Sequence, residues 1–499
     1  MKKLLLLLLI SLETLSQTTV SGPYFSNTIW NVSDSPYNIV GDVQIPNGVS
    51  LTIESGVVIN FEANFEILIK GSLIANGTNS SPIIFNSSNA ESDFVKSMII
   101  FKDTNLSESQ LSYLEFNGPK KALQLANESE HNQDAIKNSG MLTISNTIFK
   151  DTQISSDGYD TNASLRIENS SFESTKIIGT YPLSEQIFLE NCQINNSNII
   201  SDSYNYGIII NACNVENTDF KMGCCNANFQ FTNSNIINST IIEGGGSPVN
   251  GLVKLDQCEF NGTTINLPNA RVESYSSVFH FESEITGLIF GNGSIQCSQF
   301  SGNNMGTSIK ITGYSGYNIG NSVNISNSTI KDNEIGIDVE NSNTVTLSSS
   351  NIFNNSLYNI RNKSSKNILA TNNWWGSINN ELIKNKIFDF YNDINFGVVD
   401  FSNYSNSLID ILESCPLLVL NIPKLNETEI FPYPNPTTSI VSLQGGKEYN
   451  IEVYDMAGNK VMALTGNTID MSHLSSATYI VKALDKVKNE EVSYKVVKN

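Results

Sequence analysis

Asp256 and Glu259 stand three residues apart, Arg271 and Glu273 follow, and His280 precedes Glu282 and Glu284. Two juxtaposed carboxylates are what glycoside hydrolysis needs, one to protonate and one to attack or to activate water. Arg271, His280 and Glu282 form the most plausible acid–base cluster, although charges this scattered read more simply as a solvated face. Trp374-Trp375 and the pair Tyr314 and Tyr317 offer aromatic surfaces on which a sugar ring could stack. Asp157-Gly158-Tyr159-Asp160-Thr161-Asn162 supplies oxygen ligands without the spacing of a calcium loop. No Cys/His spacing suggests zinc. With three His in the chain, no Ser-His-Asp arrangement has a supporting motif. No catalytic residue, metal or cofactor is therefore expected.

The elements that must carry these groups follow one beat: apolar, any, Asn, small polar, any, apolar. Ile144-Ser145-Asn146-Thr147-Ile148-Phe149 starts it. Ile167 to Phe172, Leu189 to Ile194, Ile210 to Val215, Phe231 to Ile236 and Leu255 to Phe260 continue it. Phe300, Ile330, Ile352 and Trp374 close later copies. Most intervals are roughly 21–24 residues, the range of stacked solenoid coils. Asn146, Asn169, Asn191 and Asn233 would then form a ladder of amides bonded coil to coil. Cys192, Cys213 and Cys258 share one position of the beat. There they pack as small apolar residues, or Cys192 and Cys213 approach bonding distance.

Composition sets limits. Asn is about one residue in seven, well above ordinary usage. Apolar residues recurring in register with it argue against disorder. The formal net charge is −20, and Arg occurs only at 166, 271 and 361. Phosphate backbones need clustered cations, so nucleic acid is excluded as a partner class. Seven Cys without compact spacing argue against a disulfide-stapled domain. Lys2-Lys3 followed by Leu4 to Ile10 reads as a secretory signal over residues 1–17. No later stretch is long and apolar enough to span a bilayer, so the mature chain is expected to carry no transmembrane segment.

Residues 18–48, with Trp30, Tyr37 and the turn Pro46-Asn47-Gly48, read as an N-terminal cap that shields the first strand edges. Residues 49–377 carry the short alternating strands. The run IPNGVSLTIESGVVINF, then IKGSLIANGT, PIIF and a closing NNWWGS, resembles the right-handed parallel β-helix proteins of bacterial cell surfaces. The resemblance covers about residues 30–377 and implies an all-β fold. Physically, the Trp pair can cover the last open apolar layer; a sugar platform is the sharper alternative. Residues 117–140, 244–250 and 313–320 break the beat, and binding residues often sit on such insertions. Residues 378–428 read as a post-helix segment and linker, with Cys415 to Ile422 packing back on the solenoid. Polygalacturonase-like and pectate-lyase-like enzymes share the β-helix, but their paired Asp residues and basic motif do not appear.

Residues 429–499 change character. Five short strands in about 70 residues suit a small C-terminal β-sandwich. Tyr433-Pro434-Asn435-Pro436-Thr437, Ile451 to Gly458, Ile469 to Leu474, Tyr479 to Lys482 and the closing Lys495-Val496-Val497-Lys498 resemble the type A C-terminal sorting domain of the type IX secretion system. Ala477 stands where that family usually has Gly. The resemblance assigns Pro434, Asn435, Pro436, Gly458, Lys495 and Lys498 to the sorting signal. It implies the type IX machinery as partner, export across the periplasm in a Gram-negative bacterium, removal of the domain, and release or surface attachment of the rest. The expected function is an exported, non-enzymatic adhesin or glycan-binding module that meets extracellular polysaccharide or a surface glycan. A polysaccharide lyase or hydrolase on the same fold is the alternative.

Overall fold

A computed structural model describes residues 17–499 except 88–95, 127–137, 158–161, 181–185, 203–206, 224–226, 245–250, 282–286, 313–321, 341–343, 412–414, 416–431, 434–436, 438, 444–448, 456–458, 486–489 and 499. The chain forms two units, Met1–Ile422 and Pro423–Asn499. In the first, 43 short strands join in one parallel system, each pairing with the strand one coil away. A coil contributes one strand to each of three faces. In one coil these are Asn162–Glu168 on the first face, Ser171–Glu173 on the second and Lys176–Thr180 on the third. Each pairs in register with the next coil, as Ile167 with Leu189, Phe172 with Ile194 and Ile177 with Ile199. Period-two alternation sends every second residue inward. Ile167, Phe172 and Ile177 are accordingly fully buried.

The inward residues stack into columns. Phe85, Phe116, Phe149 and Phe172 lie face to face at 4.8, 5.3 and 5.1 Å between ring centroids. Phe260, Phe279 and Phe300 repeat this at 4.8 and 4.3 Å. Each aromatic pair adds about 0.5–1.5 kcal/mol beyond simple burial.

The Asn of the beat has a backbone reason. Asn146, Asn169, Asn191 and Asn233 all have φ between 48° and 54°, in the left-handed region, at the corner between the first and second faces. Asn tolerates that conformation better than other residues with a side chain. The corner between the second and third faces repeats the device with Asp151, Ser174, Asn196, Asn217 and Asn238. The expected amide ladder is mostly absent from the first corner. Asn191 donates to Asn169, but Asn233 donates to Asn211 instead. A true ladder sits in the early coils, where Asn60 donates to Asn38, Asn86 to Asn60 and Asn117 to Asn86 at 3.0–3.3 Å.

The residue after each left-handed corner turns inward and satisfies backbone. Thr147 N–H donates to Ser170 Oγ at 3.0 Å, Cys213 N–H to Ser234 Oγ at 3.1 Å, and Ser328 N–H to Ser350 Oγ at 3.1 Å. Cys192 and Cys213 belong to this column, with Cys192 N–H donating to Cys213 Sγ at 3.4 Å. Cys192, Cys213 and Cys258 are buried free thiols. They fill a hydroxyl's place in a polar column, which goes beyond packing as small apolar groups. Burial raises the Cys192 thiol pKa well above its usual value and that of Cys258 to about 12.

The boundaries shift at both ends. Thr18–Pro23 already pairs with Tyr37–Ile45, so residues 18–48 are built as coil. Trp30 stacks on Tyr37 at 4.8 Å inside it. Beyond residue 377, Ile387–Phe388 pairs with Tyr358–Asn362, and Val399–Asp400 with Ile368–Leu369. Lys121–Ala126, read from sequence as part of a projecting insertion, is a strand of the third face. Lys120 is 1% exposed, donates to the Phe65 and Ala63 carbonyls and lies over the Phe61 ring.

In the second unit, a three-stranded antiparallel sheet holds Pro432–Tyr433, Ile440–Leu443 and Thr468–Asp470. A four-stranded one holds Lys460–Gly466, Tyr449–Tyr454, Ala477–Asp485 and Glu490–Lys498. Val441, Leu443 and Ile469 of one sheet share a core with Ile451, Val453, Val481 and Val496 of the other, which makes a small sandwich.

Candidate functional site

Between residues 145 and 265 the two left-handed corners are tight and the third corner is where coil length varies; elsewhere the chain between the second and third faces is also longer, as from Phe281 to Leu288. Breaks in the described residues follow third-face strands such as Gln153–Asp157, Lys176–Thr180, Asn198–Asp202 and Thr240–Glu243. The second face lies opposite that variability, between the two tight corners. From Ser171–Glu173 to Thr329–Lys331, eight consecutive strands pair in unbroken register. Their middle residues, from Phe172 and Ile194 to Phe300 and Ile330, are buried. The flanking residues point outward in two columns, with coils about 4.8 Å apart. One column reads Ser171, Gln193, Asn214, Asn235, Glu259, Val278, Gln299, Thr329, and the other Glu173, Asn195, Glu216, Ile237, Asn261, His280, Ser301, Lys331.

These groups partly order one another. Gln193 Nε2 donates to Asn195 Oδ1 at 2.9 Å, Asn261 Nδ2 to Glu259 Oε1 at 3.1 Å, and His280 Nδ1 lies 2.7 Å from Ser301 Oγ. Amides and hydroxyls both donate and accept. A row of them on a flat sheet suits hydroxyl-rich ligands laid along the stacking axis.

Among the described residues, the acid–base groups read from sequence lie on different faces. Arg271 pairs with Glu273 at 2.6 Å on the first face, while His280 is on the second, with the left-handed corner at Ser276 between them. Asp256 and Glu259 are parted likewise by the corner at Gln257. Desolvation raises the Asp256 carboxyl pKa, and Lys254 on the same strand lowers it. Glu282, Glu284 and residues 158–161 of the oxygen-rich loop lie outside the described residues. Among the described residues no group of three or more His, Cys, Asp or Glu is placed to hold a metal ion.

The Trp pair is offset by one residue from the sequence reading. Asn351 pairs with Trp374, and Ile352 N–H donates to the Trp374 carbonyl at 2.8 Å. Trp375 is therefore the inward residue above Ile352. It is 3% exposed and part of the core, as the covering role requires, and only the half-buried Trp374 presents a surface. Tyr314 and Tyr317 lie outside the described residues.

Sequence reasoning missed a disulfide. Cys297, at a left-handed corner, is bonded to Cys415, 118 residues away. The repeat marks Cys297 as a corner, but nothing local marks Cys415 as its partner.

In the sandwich unit, Thr437 follows the Pro-Asn-Pro motif and is 2% exposed. Its N–H donates to Val497 O at 2.9 Å and its hydroxyl to Ile440 O at 2.8 Å. The start of the unit is thus tied to its last strand, which carries Lys495 and the buried Lys498. Pro434, Asn435, Pro436 and Gly458 lie outside the described residues. Ala477 opens the strand that pairs with Lys498 and has no left-handed φ, so no glycine is needed there.

Residues 432–499 match the family described as secretion system C-terminal sorting domain. Protein bark beetle of Drosophila melanogaster is 36% identical over 63 residues, 13% of this chain and 2% of that protein. The chain thus covers a very small part of that relative's length. No solved structure matches. Among the described residues no helix is long and apolar enough to cross a membrane. The parallel pairing of the first unit and the family match of the second make this chain a parallel β-solenoid ending in a type IX secretion system C-terminal sorting domain.

Proposed function

We propose that the solenoid is a non-enzymatic surface or secreted module whose second face binds glycans, as an adhesin or structural element. The sorting domain indicates type IX secretion. The apolar start of the chain serves as the signal for periplasmic transit, and the domain is then removed. The observation that carries the binding reading is the second face. Eight strands stack there in unbroken register, and their outward columns are rich in Asn, Gln and Ser. Parting Asp256 from Glu259 and Arg271 from His280 supports binding over catalysis.

The test is a glycan array probed with the exported chain, alongside incubation with a polysaccharide panel. Retention that falls when Asn195, Asn214 and Asn261 are changed to Ala supports the reading. New reducing ends or unsaturated products would replace it with an enzyme, and no retention on any glycan would remove the binding claim.

A further inference from the structure

Beyond the last full coil the chain turns back along the corner between the first and second faces. Ala370 N–H donates to Asp400 O at 2.8 Å, and Ser405 N–H to Asn373 O at 2.8 Å. One coil further back, the Asn351 side-chain amide brackets Ile409, donating to its carbonyl and accepting from its N–H, both at 2.9 Å. Cys415 reaches the next two coils, with Sγ 3.7 Å from Asn327 O and a bond to Cys297. Asn373, Asn351, Asn327 and Cys297 are corner or near-corner residues of four consecutive coils. The strap runs against the direction of stacking and ends covalently on the most distant of them.

Apart from the disulfide, the described part of this strap is held by separate contacts, not by a continuous ladder. Leu408 is 60% exposed; the Ser405 amide makes one bond to the coils and Ile409 two, Tyr404 Oη donates to Ile378 O at 3.1 Å, and Phe401 and Tyr404 rest half-buried against the core. The coils beneath are held differently, by continuous ladders and a buried core. Segments with few buried contacts open at low free energy. A cross-link raises the effective concentration of the strap at its site. It forms only in an oxidising compartment.

We propose that Cys297–Cys415 is a redox latch. The bond forms once the chain has left the reducing cytoplasm and fastens the strap over four coils; reduction frees the strap while the coils stay stacked. In closure the two thiols lose two protons and two electrons to an external disulfide, which leaves as two thiols. In opening, an external dithiol supplies both and is itself oxidised.

The test is native-state hydrogen exchange and limited proteolysis of the full chain, with and without dithiothreitol, and on Cys415→Ser. Exchange at the amides of Ser405 and Ile409 should speed up at least tenfold on reduction, and cleavage should appear between residues 402 and 411. Exchange at Ile210 and Phe260 should not change. Cys415→Ser should behave as the reduced protein and be insensitive to dithiothreitol. Unchanged exchange at Ser405 and Ile409 on reduction would overturn the latch. So would faster exchange throughout the solenoid, which would make the bond a global staple. Reduction of the folded wild type decides the matter even where the variant fails to fold.

Discussion

Ala212 occupies a left-handed corner with φ of 53°, where the coils on either side carry Asn191 and Asn233. An L-residue with a Cβ costs about 1–2 kcal/mol in that conformation, and Asn recovers part of this. Ala212→Asn should therefore stabilise its coil by about 0.5–1 kcal/mol. Asn146 makes no side-chain hydrogen bond among the described residues, so Asn146→Ala should cost about 1 kcal/mol from φ alone. Asn191 has the same φ preference and also donates to Asn169. Asn191→Ala should thus cost about 1 kcal/mol more than Asn146→Ala. Stacked coils need not unfold in a single transition, so a global midpoint is a poor gauge. Hydrogen exchange at Cys213 N–H, which donates to Ser234 Oγ, reads the local effect. About 1 kcal/mol of gain slows it roughly fivefold. Unchanged or faster exchange in Ala212→Asn, with Asn146→Ala neutral, would refute the view that Asn is used for its backbone conformation.

Other outcomes follow from the core and the ladders. Phe149→Ala removes the centre of a four-ring stack and should cost about 3–5 kcal/mol, measured as lost exchange protection in the coils of Phe116 and Phe172. Cys192→Ser should cost under about 1 kcal/mol, because Ser170 makes the equivalent bond to the carbonyl two residues back, whereas Cys192→Val should cost about 1–3 kcal/mol by urea titration. Desolvation lowers the Lys120 pKa to about 8, with Glu66 and Asp42 raising it and Lys96 lowering it. Between pH 8 and the ordinary lysine value the unfolded chain binds more protons than the folded one, so Lys120 makes stability rise with pH across that window, by at most about 3 kcal/mol. Lys120→Met should flatten the rise. Native Cys192 and Cys258 should resist alkylation, because burial disfavours their thiolates.

The beat was legible because it encodes three local facts at once: an inward apolar residue, a left-handed corner and an inward hydroxyl. Periodicity alone placed Phe172, Ile194 and Phe260 in the core. The reason for Asn was harder to see, since a ladder and a φ preference predict the same residue. Ala212, Gln257 and Ser276 at the same corner separate the two, because none continues an Asn ladder yet all share the φ. The Trp374–Trp375 register slipped by one residue because both neighbours are large and apolar, so the pattern could not say which points inward. The Cys297–Cys415 bond was invisible, since it joins a repeat position to a segment with no repeat.

The corners also divide labour. Between residues 145 and 265 two are pinned by left-handed residues and by inward side chains that accept the next N–H, so an insertion there would orphan buried donors and shift every residue after it. The third corner carries no such pin, and extra length there costs only loop entropy, about 0.6 kcal/mol per doubling. Change in this chain can thus accumulate beside the third face without disturbing the second. A face kept flat by its neighbours' rigidity can vary its outward residues one coil at a time, with each substitution altering the exposed surface and leaving register intact. On the proposed binding reading, ligand preference would rest on pairs such as Asn195 with Gln193 and His280 with Ser301, while the Asn, Asp and Ser corners serve the fold.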